Sequence, residues 1–253
     1  MQRSREWALR CVHEASLHEE NSFITLTYSP ENLPPGGSLV KRDHQLFIKR
    51  LRKTYPVYKF RYFLCGEYGE DLQRPHYHAL LFGFDFMDKQ PWSESNGHTI
   101  YRSVDLEGLW TLGHSWIGSV SWQSAAYVAR YCIKKVNGPN AWERYVQDVD
   151  PDTGECRYLE PEYIAMSRRP GIAHEWYQKY KEDCRKDFLT HEGQKFKIPR
   201  YYDQVLEVED AERYRHMKQK RKEVAESQAV TPKRRAAMEH HKELITERLR
   251  RSI

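Results

Sequence analysis

Residues 59–84 read KFRYFLCGEYGEDLQRPHYHALLFGF, and the reading of this stretch decides the fold. Its opening run, KFRYFLCGE (59–67), and its closing run, HYHALLFGF (76–84), are of strand length and rich in aromatic and aliphatic residues. Residues 68–75 between them are turn-like, with a glycine, two acids and a proline. Strands joined by so short a connection pair as an antiparallel hairpin, whereas a parallel pair needs a long crossover. The sheet is therefore expected to be antiparallel.

Working outward, SFITLTY (22–28) alternates and is rich in β-formers, and HSWIGSVSW (114–122) reads as a fourth strand. Helices are expected over 4–16, 39–55, 104–110, 124–136 and 174–188. The second has Ser38 as its N-cap, Val40, Phe47 and Leu51 on one face, and Lys49, Arg50, Arg52 and Lys53 outside it. Ser124 caps the fourth, and Asn137-Gly138-Pro139 ends it. Residues 85–102 read as a polar loop and 139–170 as irregular chain. The mixed order of strands and helices, with hairpin links, gives an α+β class: an antiparallel sheet with helices packed on one face. No internal repeat is present.

The 253 residues are 39% hydrophobic, enough for a core, but 30% charged, which implies long solvated segments. The net charge of +5 is uneven. Residues 212–253 hold 13 Lys/Arg against 6 Asp/Glu, so the other 211 residues carry 5 − 7 = −2. Within that body, residues 41–61 hold eight Lys/Arg and one acid. Two basic patches in a chain with seventeen tyrosines point toward nucleic acid, although basic patches also simply solvate a surface. The tail from about Val208 is charged, lacks an apolar stripe and breaks at Thr231-Pro232, so it is expected to be helical or partly disordered. The expected division is 1–207 and 208–253. Five scattered cysteines without a C-x-x-C imply a reduced, intracellular chain with neither disulfide framework nor zinc ribbon. The N-terminus lacks the apolar core of a signal peptide, and no apolar run is of membrane-spanning length.

Two constellations carry chemistry. On a strand, side chains at i and i+2 share a side, so His76 and His78 project together. They are either a solvated pair or half of a divalent-metal site. Glu67, across the turn, is the natural third ligand, with Glu70 and Asp71 as rivals. A mixed imidazole–carboxylate set with open positions suits a catalytic Mg²⁺ or Mn²⁺ better than structural zinc. In YVARYCIKK (127–135), Tyr127 and Tyr131 lie one helical turn apart on one face. Such a pair commonly packs on a sheet, but Arg130, Lys134 and Lys135 beside it favour phenolate and attract phosphate. A phenol is a weak nucleophile near neutrality and attacks phosphorus once a cation polarises the phosphate. The two constellations together therefore describe phosphodiester transesterification through tyrosine.

Three motifs, FITLTY (23–28), RPHYHALLFG (74–83) and YVARYCIKK (127–135), occur in the order found in HUH endonucleases, which initiate rolling-circle replication. With SREWALRC (4–11), MSRRPGI (166–172) and PRYYD (199–203), the chain resembles the initiators of the gokushovirus-type microviruses, small single-stranded DNA phages. The resemblance implies an antiparallel sheet of about five strands, related to RNA-recognition folds. It implies His76, His78 and Glu67 as ligands of Mg or Mn, and Tyr131 and Tyr127 as nucleophiles, with Tyr131 ranked first. Lys134 falls at the motif lysine. Contacts to DNA are expected from Thr25, Thr27, Tyr28, Arg74, Arg130 and Lys135. The implied partners are single-stranded DNA at a viral replication origin and, since no G-x-x-x-x-G-K-[ST] loop is present, a host helicase and replication machinery. The implied setting is the cytoplasm of an infected bacterium. Relatives often carry a cysteine-rich leader ahead of residue 4, which this sequence does not show.

The alternatives are a transposase or plasmid relaxase with the same site, or a non-catalytic single-strand binder. Two-histidine phosphoesterases and H-E-x-x-H metalloproteases are set aside. No histidine begins an H-x-[ST], and none of the four His-Glu pairs continues to a second histidine.

Overall fold

The structure is a computed structural model that describes residues 2–69, 72–95, 97–130, 140–149, 156–227 and 231–251. In chain order the elements are α1 (Gln2–Ala15), β1 (Asn21–Tyr28), α2 (Lys41–Thr54), β2 (Arg61–Tyr68), β3 (Pro75–Phe82), β4 (Gln90–Ser95), β5 (His98–Arg102), α3 (Val104–Leu109), β6 (Gly113–Gly118), α4 (Trp122–Arg130), α5 (Asn140–Tyr145), β7 (Val146–Val149), β8 (Cys156–Tyr158), β9 (Tyr163–Met166), α6 (His174–Tyr180), β10 (Phe188–His191), β11 (Gln194–Lys197), α7 (Arg200–Glu209), α8 (Ala211–Ser227) and α9 (Pro232–Arg251). The α+β class is as expected. β2 and β3 form the antiparallel hairpin, and β1 pairs antiparallel with β3.

The sheet is larger than the five strands expected, with order β4-β5-β6-β1-β3-β2-β9. The additional strands come from the segments read as loop. Every residue of β4 is exposed, so no apolar alternation marks it, and Pro91 fits only because β4 is an edge strand. β9, at the opposite edge, is four half-buried residues long. β7 and β8 pair separately as a short hairpin.

Helices cover both faces of this sheet rather than mainly one. β2 and β3 are buried along nearly their whole length, which strands achieve only when both faces are covered. One face carries Ile24, Leu26, Leu64, Ala79 and Leu81, packed in a single cluster with Phe47, Ile48 and Leu51 of α2 and Leu106 and Leu109 of α3. Phe47 is fully buried there, and truncating it to alanine costs about 3–5 kcal/mol. On the other face Phe63 meets Trp7 of α1 at a ring distance of 5.0 Å, and α1 packs along α4. The buried side of α1 includes Arg10, His13 and Glu14. Arg10 donates to the Ile172 carbonyl and Arg61 pairs with Glu14 at 2.8 Å, so polar groups conceal that helix's inward face from hydropathy.

Two expected caps are corrected. α2 begins at Lys41 behind Val40, and the Ser38 hydroxyl instead accepts from the Glu160 amide. α4 is capped by Ser121, three residues earlier than expected. The Ser121 hydroxyl accepts from the Ser124 amide, and the Ser124 hydroxyl accepts from the Ser121 amide, the reciprocal pattern of a capping box. The predicted helix over 174–188 is α6 followed by a 3-10 turn and then β10. The expected end of α4 at residues 137–139 lies outside the described residues.

The chain divides into two units, Gln2–Asp183 and Cys184–Ile253. The second holds the β10–β11 hairpin, α7, α8 and α9. Within it Arg221 of α8 pairs with both oxygens of Asp203 (2.7 and 3.2 Å) and with Asp187 at 3.0 Å. α8 buries no residue.

Candidate active site

The register of the central strands places the site. Cys65, His78 and Thr25 lie opposite one another across β2, β3 and β1, and Glu67, His76 and Thr27 do so two residues along. All six therefore share one sheet face. It is the face that α1 and α4 cover.

There His76 Nε2 lies 3.1 Å, and His78 Nε2 3.0 Å, from the same oxygen, Oε1 of Glu67. The three ligand atoms fall within 4.8 Å of one another, the one group of three or more His, Cys, Asp or Glu with such spacing among the described residues. Glu67 is 2% exposed. Burial pushes its carboxyl up, but the hydrogen bonds from His76 and His78 outweigh burial and hold it down at about 2. The rivals Glu70 and Asp71 lie outside the described residues.

The donor set fits a divalent cation. Two imidazole nitrogens and a carboxylate oxygen this close repel one another unless protons or a cation lie among them. Thr25 Oγ1 stands 2.9 Å from His78 Nδ1. With Nδ1–H donating to that hydroxyl, the Nε2 lone pair faces Glu67, as a metal-ligating histidine requires.

α4 brings the Tyr127 hydroxyl to 3.4 Å from His78 Nε2, with the rings edge to face at 5.0 Å. Phe23 of β1 stacks on His78 at 5.7 Å and meets Tyr127 edge-on at 6.3 Å. Sequence reading treated Phe23 only as part of a core strand. Its alternation with Thr25 and Thr27 already put it on their side.

The remaining expected residues are dispersed. Thr27 lies on the site face beside His76. Tyr28 lies on the opposite face, 1% exposed, donating to Asp43 at 2.6 Å and touching the Tyr77 hydroxyl at 2.7 Å. Burial, then the Asp43 contact, pushes the Tyr28 phenol far up, so it stays neutral inside the core. Arg74 donates to the Tyr28 carbonyl at 2.8 Å, at the end of the sheet next to His76. Arg130 ends α4. Tyr131, Lys134 and Lys135 lie outside the described residues.

Comparison with known proteins agrees with this fold and site. Residues 21–136 match the family of the replication-associated protein ORF2. Among its relatives, replication-associated protein VP4 of Bdellovibrio phage phiMH2K is 34% identical over 245 residues, 89% of this chain and 71% of the relative. The chain belongs to this family of replication-associated proteins of Microviridae-type phages. Replication-associated protein ORF2 of Spiroplasma virus 4 is 31% identical, covering 88% of this chain and 70% of the relative. Replication-associated protein ORF4 of Chlamydia phage 1 is 28% identical, covering 81% and 50%. No solved structure matches significantly. Among the described residues no helix is long and apolar enough to cross a membrane.

Proposed function

We propose that this protein nicks and rejoins single-stranded DNA at a phage replication origin, by transesterification through a covalent 5′-phosphotyrosine. One observation carries the reading: a phenol on α4 sits 3.4 Å from an imidazole whose other neighbours are a second imidazole and a buried carboxylate. A core tyrosine needs no such cluster, and a passive single-strand binder needs neither.

His76, His78 and Glu67 would hold Mg²⁺ or Mn²⁺, which when bound supplies positive charge to the scissile phosphate. The chain's own residues do the rest. Tyr127 presents its oxygen to phosphorus, and Tyr131, one turn further along the sequence, is the second nucleophile of the pair. The tyrosine O–P bond forms as the P–O3′ bond breaks. The phenolic proton leaves and the departing 3′ oxygen gains one, so a free 3′ hydroxyl remains. Phosphodiester energy is kept in the tyrosyl ester, and attack by a 3′ hydroxyl restores the strand. Two nucleophiles allow one to hold an end while the other cuts. Thr25 fixes the His78 tautomer, and Phe23 wedges His78 and Tyr127 into mutual orientation. Within an infected cell, a host helicase would supply unwinding.

The test is incubation with origin-containing single strand and Mn²⁺, followed by denaturing electrophoresis and mass mapping. An SDS-resistant adduct on Tyr127 or Tyr131 is expected. Non-covalent binding without any adduct would leave a single-strand binder in its place. A transposase or relaxase would form the same adduct but yield a moved or transferred element, not a unit-length circle.

A further inference from the structure

The lysines and arginines of residues 41–61 lie largely on α2, and α2 is on the face of the sheet opposite Glu67, His76 and His78. Its apolar stripe, Phe47, Ile48 and Leu51, is spent on the core. What it turns outward is almost purely cationic.

Some of these cations are engaged. Lys41 pairs with Glu160, Arg50 donates to the Leu109 carbonyl at 2.9 Å, and Arg52 lies over the rings of Phe60 and Tyr62. Arg42, Lys49 and Lys53 are exposed and have no ion-pair partner among the described residues. At about 100° per residue the three project within roughly 40° of one another, and the helix rise spreads them over about 16 Å. Asp43, the acid of this segment, points inward to Tyr28. An uncompensated row of cations on a rigid, well-buried helix is a phosphate-backbone footprint.

Single-strand sites combine cations with stacking aromatics. The exposed face of α2 offers Arg42, Gln45, Lys49 and Lys53, and no ring. We propose that this face docks the backbone of double-stranded DNA, independently of its sequence. A duplex held there is separated from the tyrosine site by the sheet, so paired origin DNA and the strand being cut occupy opposite faces. The choice of DNA as ligand rests on the nicking reading; the surface itself rests on charge and exposure.

The experiment compares full-length protein with the R42Q/K49Q/K53Q variant, binding a short duplex of arbitrary sequence over a series of salt concentrations. Loss of three phosphate contacts is expected to flatten the slope of log K against log salt by about 2.7, at about 0.9 per contact. Affinity should fall at least about tenfold at low salt. The substituted residues are exposed, so an unchanged thermal midpoint confirms that the variant is folded. An unchanged salt slope overturns the assignment. So does binding of anionic phospholipid vesicles by the wild type with no affinity for duplex. The wild-type adduct assay separates the two readings. Duplex binding with the predicted slope but no adduct supports this surface and removes the nicking function.

Discussion

The Thr25 hydroxyl lies 2.9 Å from Nδ1 of His78, on the side of the imidazole away from Glu67. A strand residue read as a DNA contact is thus directed at a metal-ligand candidate. Thr25→Val, which keeps shape but removes the hydroxyl, should weaken Mn²⁺ affinity by about ten- to a hundredfold, while Thr25→Ser restores most of it. Calorimetric titration of Mn²⁺ checks this. Equal affinity in the valine and serine variants would reduce the contact to packing.

His76, His78 and Glu67 converge from a hairpin whose register leaves them no other side to occupy. Mn²⁺ at about a hundredfold excess over its dissociation constant should raise unfolding free energy by about 2.7 kcal/mol. His76→Ala and His78→Ala should each abolish that stabilisation. Thermal melts with and without Mn²⁺ decide it, and stabilisation surviving in both variants would place the ion elsewhere.

Tyr127→Phe removes one oxygen and leaves the ring against Phe23 and His78. Covalent capture by Tyr127 should fall by more than about a hundredfold while single-strand affinity stays within about twofold. Combining it with Tyr131→Phe should eliminate the adduct entirely. Full capture by the double variant would show that neither tyrosine is the nucleophile.

His44 is 3% exposed, with Nδ1 2.7 Å from the Tyr163 hydroxyl. Burial, with Lys41 adding repulsion, lowers its imidazole from 6.5 to about 4. The unfolded chain therefore takes up this proton at higher pH than the folded one. Stability should be full above about pH 6.5 and decline toward pH 4, by up to about 3 kcal/mol. Urea melts of the wild type and His44→Gln across this window test it; parallel pH profiles would assign the decline to other groups.

Arg221 joins Asp203 and Asp187 while about one-third exposed. Arg221→Met should destabilise the Cys184–Ile253 unit by about 1–3 kcal/mol, since two charge-assisted contacts are lost. Proteolytic susceptibility within that unit is the readout. No increase would mark the pairs as solvent-screened.

The local sequence carried the elements that alternate or sit beside turn residues. SFITLTY, the hairpin runs at 59–67 and 76–84, and the helix at 104–110 all follow from side-chain period and punctuation. β4 and β9 did not, because an exposed edge strand shows no period-2 hydropathy. α1 gave no sign of its inward face, because it buries Arg10, His13 and Glu14 through partners more than forty residues away.

By itself the sequence determined that His76 and His78 share a side and that Glu67 lies across the turn. A strand's two-residue period and a hairpin's short connection permit nothing else. Only the tertiary structure decided that Thr25 backs His78, that Phe23 stacks on it, and that Tyr127 reaches it. Those contacts depend on β1 pairing with β3 across fifty residues and on α4 lying over that face. No local pattern specifies such long-range pairing and docking.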